Sequence, residues 1–246
     1  MGRHGDRRAV ALFVLKSAEL VGQADSHLCT AQEAAEFGAP VHADVVAPLR
    51  ALRAAAAESG FQLTVLSGYR GFDRQLSIWN RKARGDLAVL DSDARPLDIA
   101  KLSQRDLAYA ILRWSALPGA SRHHWGTDID IYDMAAKPPG HEVDLVPAEV
   151  EPGGMFAAMH AWLDERIASK TACGFFRPYD ADRSGVAPER WHISYAPVST
   201  ECQRLLTTNV LRTTIENADM MLRDVVLTHL NDIFDRFVTN TNPAFA

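Results

Sequence analysis

The stretch Ser121-Arg122-His123-His124-Trp125-Gly126-Thr127-Asp128-Ile129-Asp130 packs two imidazoles, two carboxylates and a chain-bending glycine into ten residues. Imidazole and carboxylate are good donors to a borderline cation such as zinc, and a catalytic zinc site takes three protein ligands and leaves one position open to water. This stretch can supply two of the three. Beyond the glycine the residues alternate, so Asp128, Asp130 and Tyr132 are expected on one face of a short strand with Ile129 and Ile131 buried on the other. His123 and Asp130 stand seven residues apart, an odd separation that an unbroken strand would point to opposite faces. Gly126 permits the turn that could bring them together.

A second chemical stretch lies downstream at Pro188-Glu189-Arg190-Trp191-His192-Ile193-Ser194-Tyr195. Trp191, Ile193 and Tyr195 alternate with His192 and Ser194, the pattern of a strand with one face packed and the other open to a site. Glu189 enters just ahead of it. A carboxylate three residues from a ligand histidine can reach a metal-bound water without entering the coordination sphere. A third stretch lies upstream. Phe61, Leu63 and Val65 alternate with Gln62 and Thr64 in a strand expected to end at Ser67-Gly68, which puts Tyr69 and Arg70 at a strand end, where loops commonly carry function. A short helix marked by Phe72, Leu76 and Trp79 follows, with Gln75 inside it. A guanidinium held at Arg70 could grip a carboxylate in a bidentate way. Taken singly, each of these residues has an ordinary structural use, and it is their joint arrangement that points to a site.

The remaining pattern is largely helical. The apolar positions from Ala9 to Gly22 are loosely helical, and Asp44 is expected to cap a helix whose buried face is Val45, Leu49, Leu52 and Ala56 and whose stop is Gly60. Ser103 and Asp106 resemble a capping box opening a helix with Leu107, Ile111 and Trp114 on one side, closed by Pro118-Gly119. Residues 85–100 and 137–154 read as loops, the second bordering the site with His141 and Glu142. Met155, Met159, Trp162 and Arg166, with Phe156, Leu163 and Ile167, mark a further amphipathic helix that carries His160 on its side. From Thr213 to Val238, Ile215, Ala218, Leu222, Val226, Leu230, Ile233 and Phe237 recur at spacings of three and four, behind a capping box of Thr213 and Glu216. One long C-terminal helix is expected there.

Composition bounds the function. With 246 residues, 47% apolar and 23% charged, the chain has ordinary globular composition and room for a sizeable core. A formal charge of -5 and an isoelectric point near 6.0, with no long basic run, argue against a general nucleic-acid binder. Cys29, Cys173 and Cys202 are far apart and odd in number, so neither a disulfide framework nor a thiolate zinc site is indicated. Lys16 ends the apolar run from Ala9 to Leu15, and nothing approaches the ~20 apolar residues of a membrane span. The lack of an evident signal peptide favours the cytoplasm, while a cell-wall substrate would favour the periplasm.

Three islands, SGYR with Gln75 at 67–75, SRHHWGTDID at 121–130 and ERWH at 189–192, together resemble the zinc D-Ala-D-Ala carboxypeptidases and dipeptidases of the vancomycin-resistance type, which share a core fold with hedgehog signalling domains and lysostaphin-type endopeptidases. The family pattern SxHxxGxxxD followed downstream by ExxH is met in order and spacing, over roughly residues 40–200 of the chain. The resemblance implies that His123, Asp130 and His192 hold one zinc per chain and that Glu189 is the general base and later acid. It implies that Arg70 contacts a substrate carboxylate or the developing oxyanion, and that Ser121 and Gln75 line the substrate pocket. His124 and Asp128 depart from the commoner pattern, in which a small residue often takes the position of Asp128.

The fold so implied is α+β: a small, mostly antiparallel sheet carrying the site strands, with helices packed around it, in a single metallopeptidase domain whose C-terminal helical appendage covers about residues 203–246. The activity implied is removal of a terminal D-alanine from peptidoglycan stem peptides or their precursors. An L,D-carboxypeptidase or a peptidoglycan endopeptidase is the nearby alternative, and a zinc-containing binding module without catalysis is the alternative from another class. Neither nucleic acid nor a membrane is an expected partner.

Overall fold

The computed structural model describes residues 15–245. The apolar run from Ala9 lies outside them except for Leu15, which is buried in the core. Four strands form one antiparallel sheet in the order β1-β2-β4-β3: β1 Leu63–Ser67, β2 Asp128–Asp133, β3 Phe175–Phe176 and β4 His192–Tyr195. Its two faces do different work. Ile129, Ile131 and Ile193 are fully buried on one, against a cluster that includes Val46, Leu49, Leu52, Met159 and Leu163. Asp128, Asp130, His192 and Ser194, one residue out of phase, point to the other. The alternation expected of Asp128 to Tyr132 and of His192 to Tyr195 is therefore the division between core and site.

Register decides which residues meet. Between β2 and β4, Asp128 pairs with Ser194, Ile129 with Ile193 and Asp130 with His192. Between β1 and β2, Leu63 pairs with Asp133 and Val65 with Ile131, but a bulge after Val65 brings Ser67 opposite Asp130. Bulges bend a strand and re-aim its side chains. Here the bulge carries the β1 strand end, and Arg70 with it, over the site.

Helices cover the sheet. The short α1 (Ser17–Leu20) and α2 (Ala31–Phe37) precede α3 (Val46–Glu58), whose Val46, Leu49, Leu52 and Ala56 are buried, as their spacing predicts. The cap is not Asp44. His42 takes that place, its Nδ1 accepting the Asp44 backbone N–H at 3.1 Å, and Asp44 lies inside the 3-10 turn Ala43–Val45 that leads into the helix. After β1 come α4 (Phe72–Arg84) and α5 (Gln104–Leu112). Ser103 Oγ accepts from the Asp106 N–H at 3.1 Å, as expected of its cap, but the helix stops short of Trp114, whose indole N–H donates to the Asp91 carbonyl at 2.8 Å. The segment after β2 contains a 3-10 turn at Met134–Ala136 and a short helix, α6 (Pro147–Val150), and α7 (Ala157–Ala168) follows.

The C-terminal region departs most from its pattern. Instead of one long helix it folds as α8 (Ala196–Leu205), α9 (Thr208–Glu216), α10 (Arg223–Thr228) and α11 (Leu230–Ile233), with a π-helical turn at Phe234–Val238. Thr213 and Glu216, expected to open a helix, lie inside α9, which Thr207 caps. The reason for the break sits on α4. Asn80 donates to the Asp219 carbonyl and accepts the Met221 N–H, both at 2.9 Å, and Trp79 donates to the Met221 carbonyl at 2.9 Å. Backbone groups that a continuous helix would pair internally are satisfied by side chains of a neighbour. The periodic residues keep their buried role: Ile215, Ala218, Val226, Leu230, Ile233 and Phe237 join Trp79, Leu107 and Ile111 in the largest hydrophobic cluster. The apolar spacing recorded burial correctly and helix length wrongly.

Candidate metal centre

His123 lies in a 3-10 turn, Arg122–Trp125, that Gly126 ends in the left-handed region at φ +65. Any Cβ at Gly126 would come within 2.7 Å of the His42 backbone nitrogen, so the turn and the close approach both require glycine. This turn reverses the odd separation between His123 and Asp130. One ligand atom each from His123, Asp130 and His192 falls within 4.8 Å of the others, all buried.

Hydrogen bonds on the far side of each ring fix which nitrogen faces the cluster. His123 Nδ1 donates to the Gly68 carbonyl at 2.8 Å, which leaves Nε2 facing Asp130 Oδ2 at 3.4 Å. His192 Nε2 donates to Asp128 Oδ1 at 3.0 Å, which leaves Nδ1 facing Asp130 Oδ1 at 3.1 Å. The rings meet edge to face with centroids 4.9 Å apart. Tetrahedral zinc with bonds of about 2.0–2.1 Å separates its ligand atoms by about 3.4 Å. Each nitrogen lies near that distance from one oxygen of the Asp130 carboxylate, His123 from Oδ2 and His192 from Oδ1, and two neutral imidazoles with one carboxylate are a suitable donor set, so the residues fit zinc.

The charge balance is that of a site built around a cation. Burial disfavours a charged His192, yet its hydrogen bonds to Asp128 and Asp130 outweigh this and raise it to about 10. A cation in this space would take the place of the Nδ1 proton. Burial brings His123 down to about 4, against the pull of Asp130. Glu189 Oε2 is 3.7 Å from His192 Nδ1. Burial pushes Glu189 up to about 7, with Asp130 adding to the shift and His192, Arg70 and Lys82 opposing it. A largely buried carboxyl poised near neutrality suits proton transfer in both directions.

Asp128 is the centre of a support network. Its Oδ1 accepts from Arg122 Nε at 2.7 Å as well as from His192, and its Oδ2 accepts from Thr127 Oγ1 at 2.7 Å and Ser194 Oγ at 2.9 Å. Burial opposes its ionisation, but Arg122 and His192 prevail and hold its carboxyl well below the usual range. Arg122, only 3% exposed, also donates to Ser194 Oγ and to Gln203 and lies 4.8 Å over the Trp125 ring. A buried ion pair holds only when its remaining donors and acceptors are satisfied, and these are.

His124, adjacent to His123 in sequence, faces away from the cluster. Its Nδ1 donates to the Arg70 carbonyl at 2.6 Å and its Nε2 accepts from the Gly119 N–H at 3.1 Å. Burial drives it down to about 3, so it is neutral. The Arg70 N–H in turn donates to the His123 carbonyl at 3.1 Å, which ties the β1 strand end to the ligand turn. Arg70 Nη1 donates to Gln75 Oε1 at 3.0 Å and Gln75 Nε2 to the Ala116 carbonyl at 2.7 Å. Gln75 is fully buried behind Arg70. Expected to line the pocket, it instead orients the guanidinium.

Ser121, Arg70, Glu189 and all three cluster residues line a cavity of about 260 Å³, closed by Tyr179, Trp114, Trp191 and the loop at Asp144–Pro147. Glu149 organises that loop by accepting from His141 and from the backbone N–H groups of Asp144, Leu145 and Val146. Tyr179, Lys82 and Arg122 carry no sequence signal of their own. Ser194 does, since it shares the His192 face of β4.

The profile of the VanY family, D-alanyl-D-alanine carboxypeptidase, matches residues 38–198. The chain belongs to this family. As a VanY-family chain it is a hydrolase of the carboxypeptidase kind. An uncharacterised Haemophilus influenzae protein is 30% identical over 122 residues, 50% of this chain and 92% of that protein. A D-alanyl-D-alanine carboxypeptidase of Enterococcus faecalis is 28% identical over 147 residues, 58% of this chain and 44% of that protein. Among solved structures, a mutant of the vancomycin-resistance D,D-pentapeptidase VanY in complex with Zn(II) superposes with a TM-score of 0.49 at 23% identity, over 83% of this chain and 91% of that chain. VanYB in complex with D-alanine-D-alanine gives 0.48 at 22% identity, over 84% and 91%.

Proposed function

We propose that this VanY-family chain is a zinc D,D-carboxypeptidase that removes the terminal D-alanine from peptidoglycan stem peptides or their precursors. The observation that carries the reading is the convergence of His123 Nε2, Asp130 and His192 Nδ1, with Glu189 Oε2 3.7 Å from His192 on the cavity side. His123, Asp130 and His192 are the ligands of one zinc, which when bound acidifies water and polarises the scissile carbonyl. Glu189 takes a proton from the attacking water and returns it to the departing amine. Arg70, held by Gln75 and Ser67, offers fixed positive charge to the oxygen on which negative charge develops, where loss of one such donor commonly costs about 3 kcal/mol. Ser121 borders the bound peptide. Residues 40–200 hold this machinery, and the C-terminal helices brace it. No described helix is long and apolar enough to cross a membrane.

The test is incubation of the purified, zinc-loaded protein with a muramyl pentapeptide, followed by mass spectrometry. Loss of one alanine is expected, with about one zinc per chain by metal analysis. Release of the fourth residue from a tetrapeptide would give the L,D reading, cleavage inside the stem the endopeptidase reading, and intact peptides with zinc bound the binding-module reading.

A further inference from the structure

Lys82 is a cation of the cavity that the proposed chemistry leaves unused. It lies on α4 seven residues after Gln75, two helical turns along the same face, and its side chain joins Arg70 and Glu189 in the cavity wall. It is partly buried, and no hydrogen bond or ion pair occupies its ammonium among the described residues. Lysine is strongly hydrated and seldom sits part-buried beside a site without a partner. The missing partner is an anion.

The position of Lys82 relative to Glu189 indicates which anion. Arg70 and Lys82 both line the cavity with Glu189, and the charges of both act on its carboxyl. Arg70 is fixed by Gln75 and Ser67 and acts on Asp130 as well, whereas Lys82 stands beside Glu189 with no side chain among the described residues holding its ammonium. A residue that returns a proton to the departing amine must stand next to that amine. The departing amino acid accordingly lies on the Glu189 side of the scissile bond, and in a carboxypeptidase it carries the terminal carboxylate one carbon from the amine.

We propose that Lys82 recognises the C-terminal carboxylate of the substrate, so that the cavity selects peptides with a free terminus while Arg70 is left to the scissile carbonyl. The inference rests on the carboxypeptidase reading above and names the residue that makes the enzyme an exopeptidase.

Binding separates this inference from turnover. Zinc-loaded Glu189→Gln protein is titrated calorimetrically with D-alanyl-D-alanine and with its C-terminal amide, alone and combined with Lys82→Met or Lys82→Arg. The free acid should bind about 10- to 100-fold more tightly than the amide, the range of one charge-assisted contact. Lys82→Met should abolish that preference while leaving amide affinity unchanged, and Lys82→Arg should restore much of it. Equal binding of acid and amide, binding of neither, or a preference that survives Lys82→Met overturns the proposal. A binding preference that depends on Lys82 in a protein whose wild type cleaves no stem peptide would leave the carboxylate site standing and remove the peptidase reading instead.

Discussion

Asp128 Oδ1 stands 3.0 Å from Nε2 of His192, on the opposite edge of the ring from the Nδ1 that faces Asp130. The carboxylate thereby fixes both the tautomer and the tilt of a candidate ligand without touching the cluster itself. Asp128→Asn should lower zinc affinity about 10- to 100-fold, read by competition with a chromogenic chelator. Unchanged affinity would sink this assignment. The same change leaves Arg122 buried without its counter-charge, so the variant should also unfold at lower denaturant concentration.

Glu189 and His192 are three residues apart but are assigned separate tasks, and substitution should separate them. Glu189→Gln keeps the size of the side chain and should retain about one zinc per chain while turnover falls by about 10²-fold or more. His192→Ala should lose both metal and turnover. Metal analysis beside a D-alanine release assay reads the difference, and a fully active Glu189→Gln enzyme would remove the proposed base.

His124 spans Arg70 and Gly119 from a fully buried position. His124→Ala leaves the Arg70 carbonyl and the Gly119 N–H unpaired and should cost about 3 kcal/mol in urea unfolding, with zinc content preserved. Gly22→Ala should act in the same direction from the other side, since its Cβ would lie 2.3 Å from His124 Nδ1 at a backbone φ of +76. A variant at either position that unfolds like the wild type would show the His124 ring to be loosely held.

Acid should destabilise the fold through histidines remote from the cluster. Burial takes His42 down to about 4, partly opposed by Asp44, and takes His160 down to about 3, reinforced by Arg177. In the unfolded chain both titrate near 6.5. Between pH ~6.5 and ~4 the unfolded state binds protons that the folded state refuses, so this stability is complete above ~6.5 and declines as pH falls, by about 1.4 kcal/mol per pH unit for each group. Thermal melts across that range should show a falling midpoint, with a shallower slope in His160→Asn. An equal slope in the variant would mean that His160 is charged in the folded protein.

The site was legible in the sequence where its residues obey a local period. Asp128, Asp130, His192 and Ser194 could be placed on one sheet face because strand alternation is a property of neighbours, and Gly126 advertised the turn that His123 needs. His124 and Asp128 could not be told from their neighbours His123 and Asp130, because what distinguishes them lies elsewhere. Gly119 and the Arg70 carbonyl occupy His124, and Ser194 and Arg122 occupy Asp128. Lys82 and Tyr179 reach the cavity only through the packing of α4 and of the segment before β4.

The same distinction explains the errors in the helices. Apolar spacing from Ile215 to Phe237 reported which side chains are buried, and all of them are except the half-buried Leu222. It could not report that Asn80 and Trp79, far upstream, would satisfy the backbone of residues 219–221 and end the helix there. At Asp44 the expected capping residue was preceded by His42, whose ring nitrogen did the capping instead.

The cross-strand pairing of Asp130 with His192 has a consequence for assembly. These residues are 62 apart in sequence and become neighbours only when β2 and β4 join in the observed register. A slip of one residue would bring Ile193 opposite Asp130 and turn His192 into the aliphatic layer. Occupancy of the centre by a metal ion would therefore act as a checkpoint on strand alignment, because only correctly zipped strands present both donors to one ion. Bound there, the ion would also work as a removable staple across a long-range contact of the sheet, slowing its separation for as long as the metal stays.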